Sequence, residues 1–269
     1  MVGKVKYDTL FIYGVLYLFF IYAPVLLVVL FSFNNGLYVA FPLKEFTFKW
    51  YGEMVSNPGL TKALGVSLRI ATFVSIASTI LGVLAAKAVT RYYLPGRAAI
   101  TFTIMLPLVI PTIVFAIGLL IILAKFLGLQ PSTWSIIAGH VLLCVPFSMA
   151  VLISRLQGFD KNLEEASLDL GENAWQTFWR VTFPLAMPGI VASFLLCFTT
   201  SFDEYLMAAF LSGNDTTLPV YIYSQLRFPQ KLPGTLALGS CILVVSFAIV
   251  TFAEYMRRRG VNPDQNLGI

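Results

Sequence analysis

Charge is scarce in this sequence: only 12% of its 269 residues are Asp, Glu, Lys or Arg. An ordinary soluble domain carries about 25%. With 58% hydrophobic residues and a mean hydropathy of +0.82, the chain cannot cover itself with polar surface, which excludes that class. Histidine is nearly absent. His140 stands alone, so no histidine cluster can hold a metal, and its place at the start of an apolar run suggests a hydrogen bond at a helix end. The three cysteines, Cys144, Cys197 and Cys241, lie in apolar runs without Cys-x-x-Cys spacing, and read as small buried side chains. No Gly-x-x-x-x-Gly-Lys-Ser/Thr occurs, so the chain has no phosphate-cradling loop of its own. No Gly-x-Ser-x-Gly elbow occurs either, and the adjacent Asp203 and Glu204 point apart, unlike the paired acids of an aspartyl protease. The chain is not expected to be an enzyme or to hold a metal. Its net charge of +5 reads as basic residues kept on the cytoplasmic side, with no nucleic acid as partner.

What the sequence has in abundance is long apolar runs. A helix needs about 20 mostly apolar residues to cross a bilayer. Such runs lie at about 9–33, 64–89, 98–126, 133–155, 186–211 and 235–256. They are continuous rather than alternating, which favours helices over a closed barrel. The expected fold is all-α, a polytopic membrane protein with six transmembrane helices in one domain over 1–269, with lipid as its solvent. The first run is longer than the ~7–15 residues of a signal-peptide core and reads as a retained helix. With the N-terminus inside, Lys4, Lys6, Lys87, Arg91, Arg97, Arg155, Lys161, Arg180, Arg257, Arg258 and Arg259 fall on the cytoplasmic side. Lys44, Lys49, Lys62, Lys125, Arg227 and Lys231 fall outside. That excess puts both termini in the cytoplasm.

Pro107, Pro111 and Pro146 fall within the third and fourth runs and are expected to kink them. Two loops exceed what a connection needs: an outer one at about 34–63 and an inner one at about 156–185. In the inner loop, Asn162 suits an N-cap, Glu165 three residues on completes a capping box, and Gly171 suits a left-handed helix end. The spacing predicts a helix over 163–170. An amphipathic helix over 173–183 follows, after which Pro184 and Pro188 turn the chain back into the membrane.

These residues carry a resemblance. The inner-loop signature of binding-protein-dependent importer permeases is Glu-Ala-Ala, three residues, Gly, nine residues, then Ile-x-Leu-Pro. Here Glu165-Ala166-Ser167, Gly171 and Val181-Thr182-Phe183-Pro184 keep every spacing, with Ser, Val and Phe as departures. Phe48-Lys49-Trp50-Tyr51, Leu185-Ala186-Met187-Pro188 and Ser201-Phe202-Asp203-Glu204 resemble the spermidine/putrescine (PotC-like) permease subfamily. The resemblance implies a type I ABC importer permease (MetI-like) fold in a bacterial inner membrane. It implies two separate ATPase subunits that bind ATP and Mg, a second homologous permease, with homodimerisation as second choice, and a periplasmic or extracellular solute-binding protein. No cofactor is expected on this chain. It further implies that Asn162, Leu163, Glu164, Glu165, Ala166, Ser167, Leu168, Asp169, Gly171 and Pro184 couple the ATPases to the membrane helices. The binding protein is expected on the outer loops, at 34–63 and 212–234.

Asp203 and Glu204 sit inside the fifth run, where an ionisable group is costly and marks function. Adjacent helical residues diverge by ~100°. Thr199 lies one turn before Asp203, so Asp203 is expected to face the path and Glu204 to pair with a partner or cap an internal bond. Thr112 is the further path candidate: it follows Pro111, where polyamine permeases are expected to carry an acid. Arg69 adds positive charge near the outer end of the second run. The solute is therefore expected to be a polyamine, or a zwitterionic or anionic molecule such as an opine or amino-acid derivative. A self-sufficient secondary transporter is the alternative, although no internal repeat is visible.

Overall fold

The structure, a computed structural model, describes residues 9–36 and 38–260; of residues 9, 249–250 and 252–260 only the backbone is described. Lys4, Lys6 and the side chains of Arg257, Arg258 and Arg259, used above for orientation, lie outside the described residues. The described residues are helical apart from loops and one isolated bridge between Asn34 and Phe46. Among the described residues, five helices are long and apolar enough to cross a membrane: Leu10–Ser32, Pro58–Arg91, Thr133–Gln157, Ala174–Asp203 and Pro229–Ala248. The bent pair Arg97–Leu108 and Thr112–Phe126, taken as one span, makes six.

The chain gathers into two compact units. The first combines the described residues up to 58 with those from 222 onward. It contains α1 (Thr9–Ser32), α2 (Lys49–Val55) and the last helix. Its loop after α1 is built around Asn34. The Trp50 indole donates to the Asn34 carbonyl at 2.9 Å, the Lys44 amide donates to Asn34 Oδ1 at 2.9 Å, and Ser32 Oγ meets the Tyr51 hydroxyl at 2.7 Å. The loop expected at 34–63 is thus shorter and folded.

The second unit spans 59–221. In chain order it holds α3 (Pro58–Arg91), α4 (Arg97–Met105), α5 (Thr112–Ile121), α6 (Thr133–Gln157), α7 (Asn162–Asp169), α8 (Ala174–Thr177), α9 (Phe183–Asp203) and α10 (Leu206–Leu211). The chain continues through α11 (Leu218–Gln225) to α12 (Leu232–Gly260). Helices in lipid gain little from burying apolar area against each other, so close approach of small residues holds them. Accordingly α3 buries Ser67, Ala71, Ser75, Ser78, Gly82 and Ala86 beside Val66, Ile70 and Val74. At Gly82 a Cβ would lie 2.0 Å from Ser148 Oγ and 2.6 Å from Ser148 Cβ, so α3 and α6 touch there at backbone range. Ser193 of α9 donates to the same Ser148 hydroxyl at 2.6 Å. Thus α6 packs against both α3 and α9. Val66, Ile70, Val74, Ile136, Leu143, Cys144 and Cys197 form the main core with Ala116, Met207, Ala208 and Leu211.

Five expectations need correction. The third span is broken rather than kinked: its halves meet at 100°. Pro107 lies in a 3₁₀ turn over Leu106–Leu108, and Pro111 caps α5 in an extended conformation. Two prolines four residues apart remove two helix donors, and Pro111 pushes Ile110 out of the helical region. The fifth span begins at Ala174 instead of 186, continuing through a π-helical turn, Phe178–Thr182, into α9. Pro184 lies in the first turn of α9, where its missing N–H is tolerated, so it extends the rod rather than turning it. The same span then stops at Asp203, and α10 begins only at Leu206. Finally, His140 is not at a helix end. It is buried inside α6, with Nδ1 2.9 Å from Ser201 Oγ.

Candidate functional site

The segment between α6 and the fifth span folds as one short helix, α7, followed by α8, the first turn of that span. Its first helix, α7, covers 162–169, close to the predicted 163–170. Its start differs from the expectation. Asn162 is the first helical residue and caps nothing. Asp160 takes that part: its Oδ1 accepts from the Asn162 amide at 3.0 Å and its Oδ2 from Asn162 Nδ2 at 3.1 Å. No capping box involves Glu165. The box stands instead at α8, where Asn173 Oδ1 accepts from the Gln176 amide at 2.9 Å and Gln176 Oε1 accepts from the Asn173 amide at 2.9 Å. The Asn-x-x-Gln spacing at 173–176 was a readable signal for it.

The end of α7 follows the glycine. Gly171 has φ +91°, its amide donates to the Leu168 carbonyl at 2.9 Å, and the Glu172 amide donates to the Ser167 carbonyl at 3.2 Å. That pair of bonds is a Schellman end, which consumes two otherwise orphaned carbonyls.

One face of α7 points into the protein. Ser167 is buried, and its hydroxyl lies 3.0 Å from Thr177 Oγ1. Glu164 is almost covered: its Oε2 lies 3.0 Å from Arg91 Nε, and its Oε1 accepts from Thr182 Oγ1 at 2.6 Å. Glu165 is exposed, so the inward-facing carboxylate is Glu164 rather than the signature glutamate. The other face is open. Leu163, Ala166, Leu168, Asp169 and Leu170 are exposed, Leu170 at 87%. Leu163, Ala166 and Leu170 therefore form an apolar stripe beside the exposed acids Glu165 and Asp169, with Leu168 on the far side of those acids.

The path candidates fall at the two breaks. Thr112 begins α5. Thr199 and Asp203 share an exposed face of α9, although the Thr199 hydroxyl is spent on the Leu195 and Leu196 carbonyls at 3.0 Å. Glu204 has left the helix and accepts the Met207 amide at 3.1 Å, holding the start of α10. Past the breaks, α5 and α10 pack together through Ala116, Met207, Ala208 and Leu211. Arg69 is exposed and donates to the Gly65 carbonyl at 3.2 Å. Among the described residues no group of acids, cysteines or histidine could hold a metal. Sequence reasoning missed Arg91 and Thr182, because nothing local marks them as partners of Glu164.

Residues 78–260 match the family described as binding-protein-dependent transport system inner membrane component. The chain is 33% identical over 240 residues to the spermidine/putrescine transport system permease protein PotC of Escherichia coli K12, covering 89% of this chain and 90% of that one. It is 34% identical over 255 residues to the putrescine transport system permease protein PotI of the same strain, covering 90% of each. Among solved structures, it resembles a bacterial ABC transporter involved in import of the acidic polysaccharide alginate, with a TM-score of 0.72 at 20% identity over 93% of this chain and 99% of that one.

Proposed function

This chain belongs to the family of binding-protein-dependent transport system inner membrane components, and from that premise we propose that it forms half of the membrane path of an ATP-driven polyamine importer. A homologous permease supplies the other half. Two ATPase subunits bind ATP and Mg beneath them, and a soluble binding protein delivers the solute to the outer loops. The chain lies in a bacterial inner membrane with both termini in the cytoplasm.

The observation that carries this reading is α7: a short helix anchored by Glu164 and Ser167, ended by Gly171, and apolar on its outward face. An isolated helix this short is unstable in water, since nucleation is unfavourable. Here the tertiary anchors hold it ready-made, so docking into an ATPase groove needs little further ordering. Leu163, Ala166 and Leu170 recur at helical spacing, as a groove-binding helix requires. Closure of the ATPases on ATP displaces α7, and the displacement opens the path outward.

The polyamine assignment rests on the two relatives' names together with Asp203, an acid on an exposed helix face beside a break. Thr112 at the other break and the exposed Arg69 favour a second reading, a zwitterionic or anionic amino-acid-derived solute. The test of the coupling surface is a pull-down of tagged chain in mild detergent, comparing wild type with Ala166→Arg, an outward position whose substitution leaves the anchors intact. Loss of the ATPase subunit in the variant alone is the expected result. Equal recovery with both would remove α7 as the docking element. Competition of labelled spermidine uptake by unlabelled spermidine, but not by an amino-acid-derived anion, separates the two solutes.

A further inference from the structure

Arg91 is the last residue of α3, and its guanidinium gathers parts of four segments at the cytoplasmic end of the second unit. Its Nη2 donates to the Leu156 carbonyl at 2.9 Å, in the last turn of α6, where carbonyls lack intrahelical partners. Its Nε lies 3.0 Å from Glu164 Oε2 on α7. Its Cζ sits 4.8 Å from the centroid of the Phe159 ring in the connecting loop. Through the other oxygen of Glu164, the network reaches Thr182 in the π turn of the fifth span at 2.6 Å. The two charged side chains are only 10% and 12% exposed, so water screens their attraction weakly. One turn back on α3, Lys87 places Nζ 4.7 Å from the Phe178 ring centroid, a second tie from the same helix end to the loop.

From this geometry we infer that Arg91 is a positioning residue of the coupling mechanism: it locks α7 to the end of α3, so that displacement of α7 moves the second span directly. The inference rests on the importer reading above. A guanidinium is required. It donates to a carbonyl from Nη2, carries its charge beside a carboxylate and lays its face on a ring, whereas the lysine ammonium is a point charge on a flexible stem. The contact to Glu164 is buried, and the other cation near that carboxylate, Lys87, belongs to the same end of α3, so either pairing ties α7 to that helix. The lock therefore persists as the loop moves, and α7 with the end of α3 behaves as one body.

Two measurements test this, both on the complete complex in proteoliposomes. The first uses wild-type contacts: spin labels at Lys161 and at Tyr93, two exposed sites flanking α7 and the end of α3. The inter-label distance is expected to be the same without nucleotide and in the vanadate-trapped state. A change of about one helical turn, ~5.4 Å, would overturn the inference without touching the importer reading. The second compares solute taken up per ATP hydrolysed in wild type, Arg91→Lys and the exchange pair Arg91→Glu with Glu164→Arg. Arg91→Lys is expected to lower that ratio about tenfold, within the range of ordinary coupling energies, and the exchange pair to recover part of it. A residue that serves stability alone would lower assembled protein and leave the ratio unchanged, which would also overturn the inference. If Arg91→Lys does not assemble, the spin-label distances decide. If the wild-type complex hydrolyses ATP without uptake, the importer reading itself fails and the inference with it.

Discussion

Replacing Gly171 separates backbone strain from crowding. Its φ is +91°, and nothing lies within 4 Å of the position a Cβ would take, so any substitution acts through strain first. An L-residue with a Cβ in left-handed geometry costs about 1–2 kcal/mol; asparagine tolerates it better. The strain bears on a turn held by three backbone hydrogen bonds, donated by the Leu170 amide to the Ala166 carbonyl at 3.1 Å, by Gly171 to Leu168 at 2.9 Å and by Glu172 to Ser167 at 3.2 Å. A shift of that size changes a population ratio by about 5–30-fold, and apparent affinity falls with the docking-competent fraction. Gly171→Ala is therefore expected to weaken ATPase binding several-fold to about tenfold, Gly171→Asn clearly less, and both proteins to remain folded. Titration of detergent-purified chain with the ATPase reads the affinity directly. Alanine at wild-type affinity, or asparagine as weak as alanine, would refute the strain argument. Gly171→Arg far weaker than alanine would mean that the partner approaches the glycine itself.

Three further outcomes follow from the packing. Gly82→Ala puts a methyl group 2.0 Å from Ser148 Oγ and is expected to lower stability by about 1–3 kcal/mol; thermal unfolding in detergent reads the loss, and an unchanged midpoint would mean that α3 and α6 do not meet there. Glu204→Ala removes the acceptor of the Met207 amide and is expected to cost about 0.5–2 kcal/mol, whereas Glu204→Gln keeps an acceptor and is expected to lie near wild type in the same assay. Asp203→Asn is expected to leave assembly and basal ATP hydrolysis intact while reducing polyamine uptake by at least about tenfold, the effect of one lost charge pairing of ~1.4 kcal/mol or more; unchanged uptake would take Asp203 out of the path.

The spans were legible because bilayer thickness converts apolar length directly into helices, and α7 was legible because Gly171 marks its end. What escaped the sequence depends on distant partners. Glu164 and Glu165 are chemically equal neighbours, and it is distant partners, Arg91 at the end of α3 and Thr182 in the fifth span, that favour burial of Glu164. Asp160 and Asn162 both suit a helix start, and the choice depends on how the loop leaves α6. Prolines announced a bend near 107–111 but not its 100° size. The stop after Asp203 has no breaker residue at all; it follows from Glu204 bonding the next helix and from Met207 and Leu211 packing on α6 and α5. His140 looked terminal because an apolar run begins beside it, yet a hydroxyl on another helix, Ser201, allows it to be buried mid-helix.

The central claim is tested most directly by reconstituting the chain with its partner permease, the ATPase subunits and loaded binding protein in sealed proteoliposomes, and following labelled spermidine. Uptake that requires Mg-ATP and the binding protein together, and that stops when the ATPase is omitted, is the result the account requires. Uptake by this chain without any ATPase, driven by an imposed ion gradient, would contradict it and make the chain a self-sufficient secondary transporter.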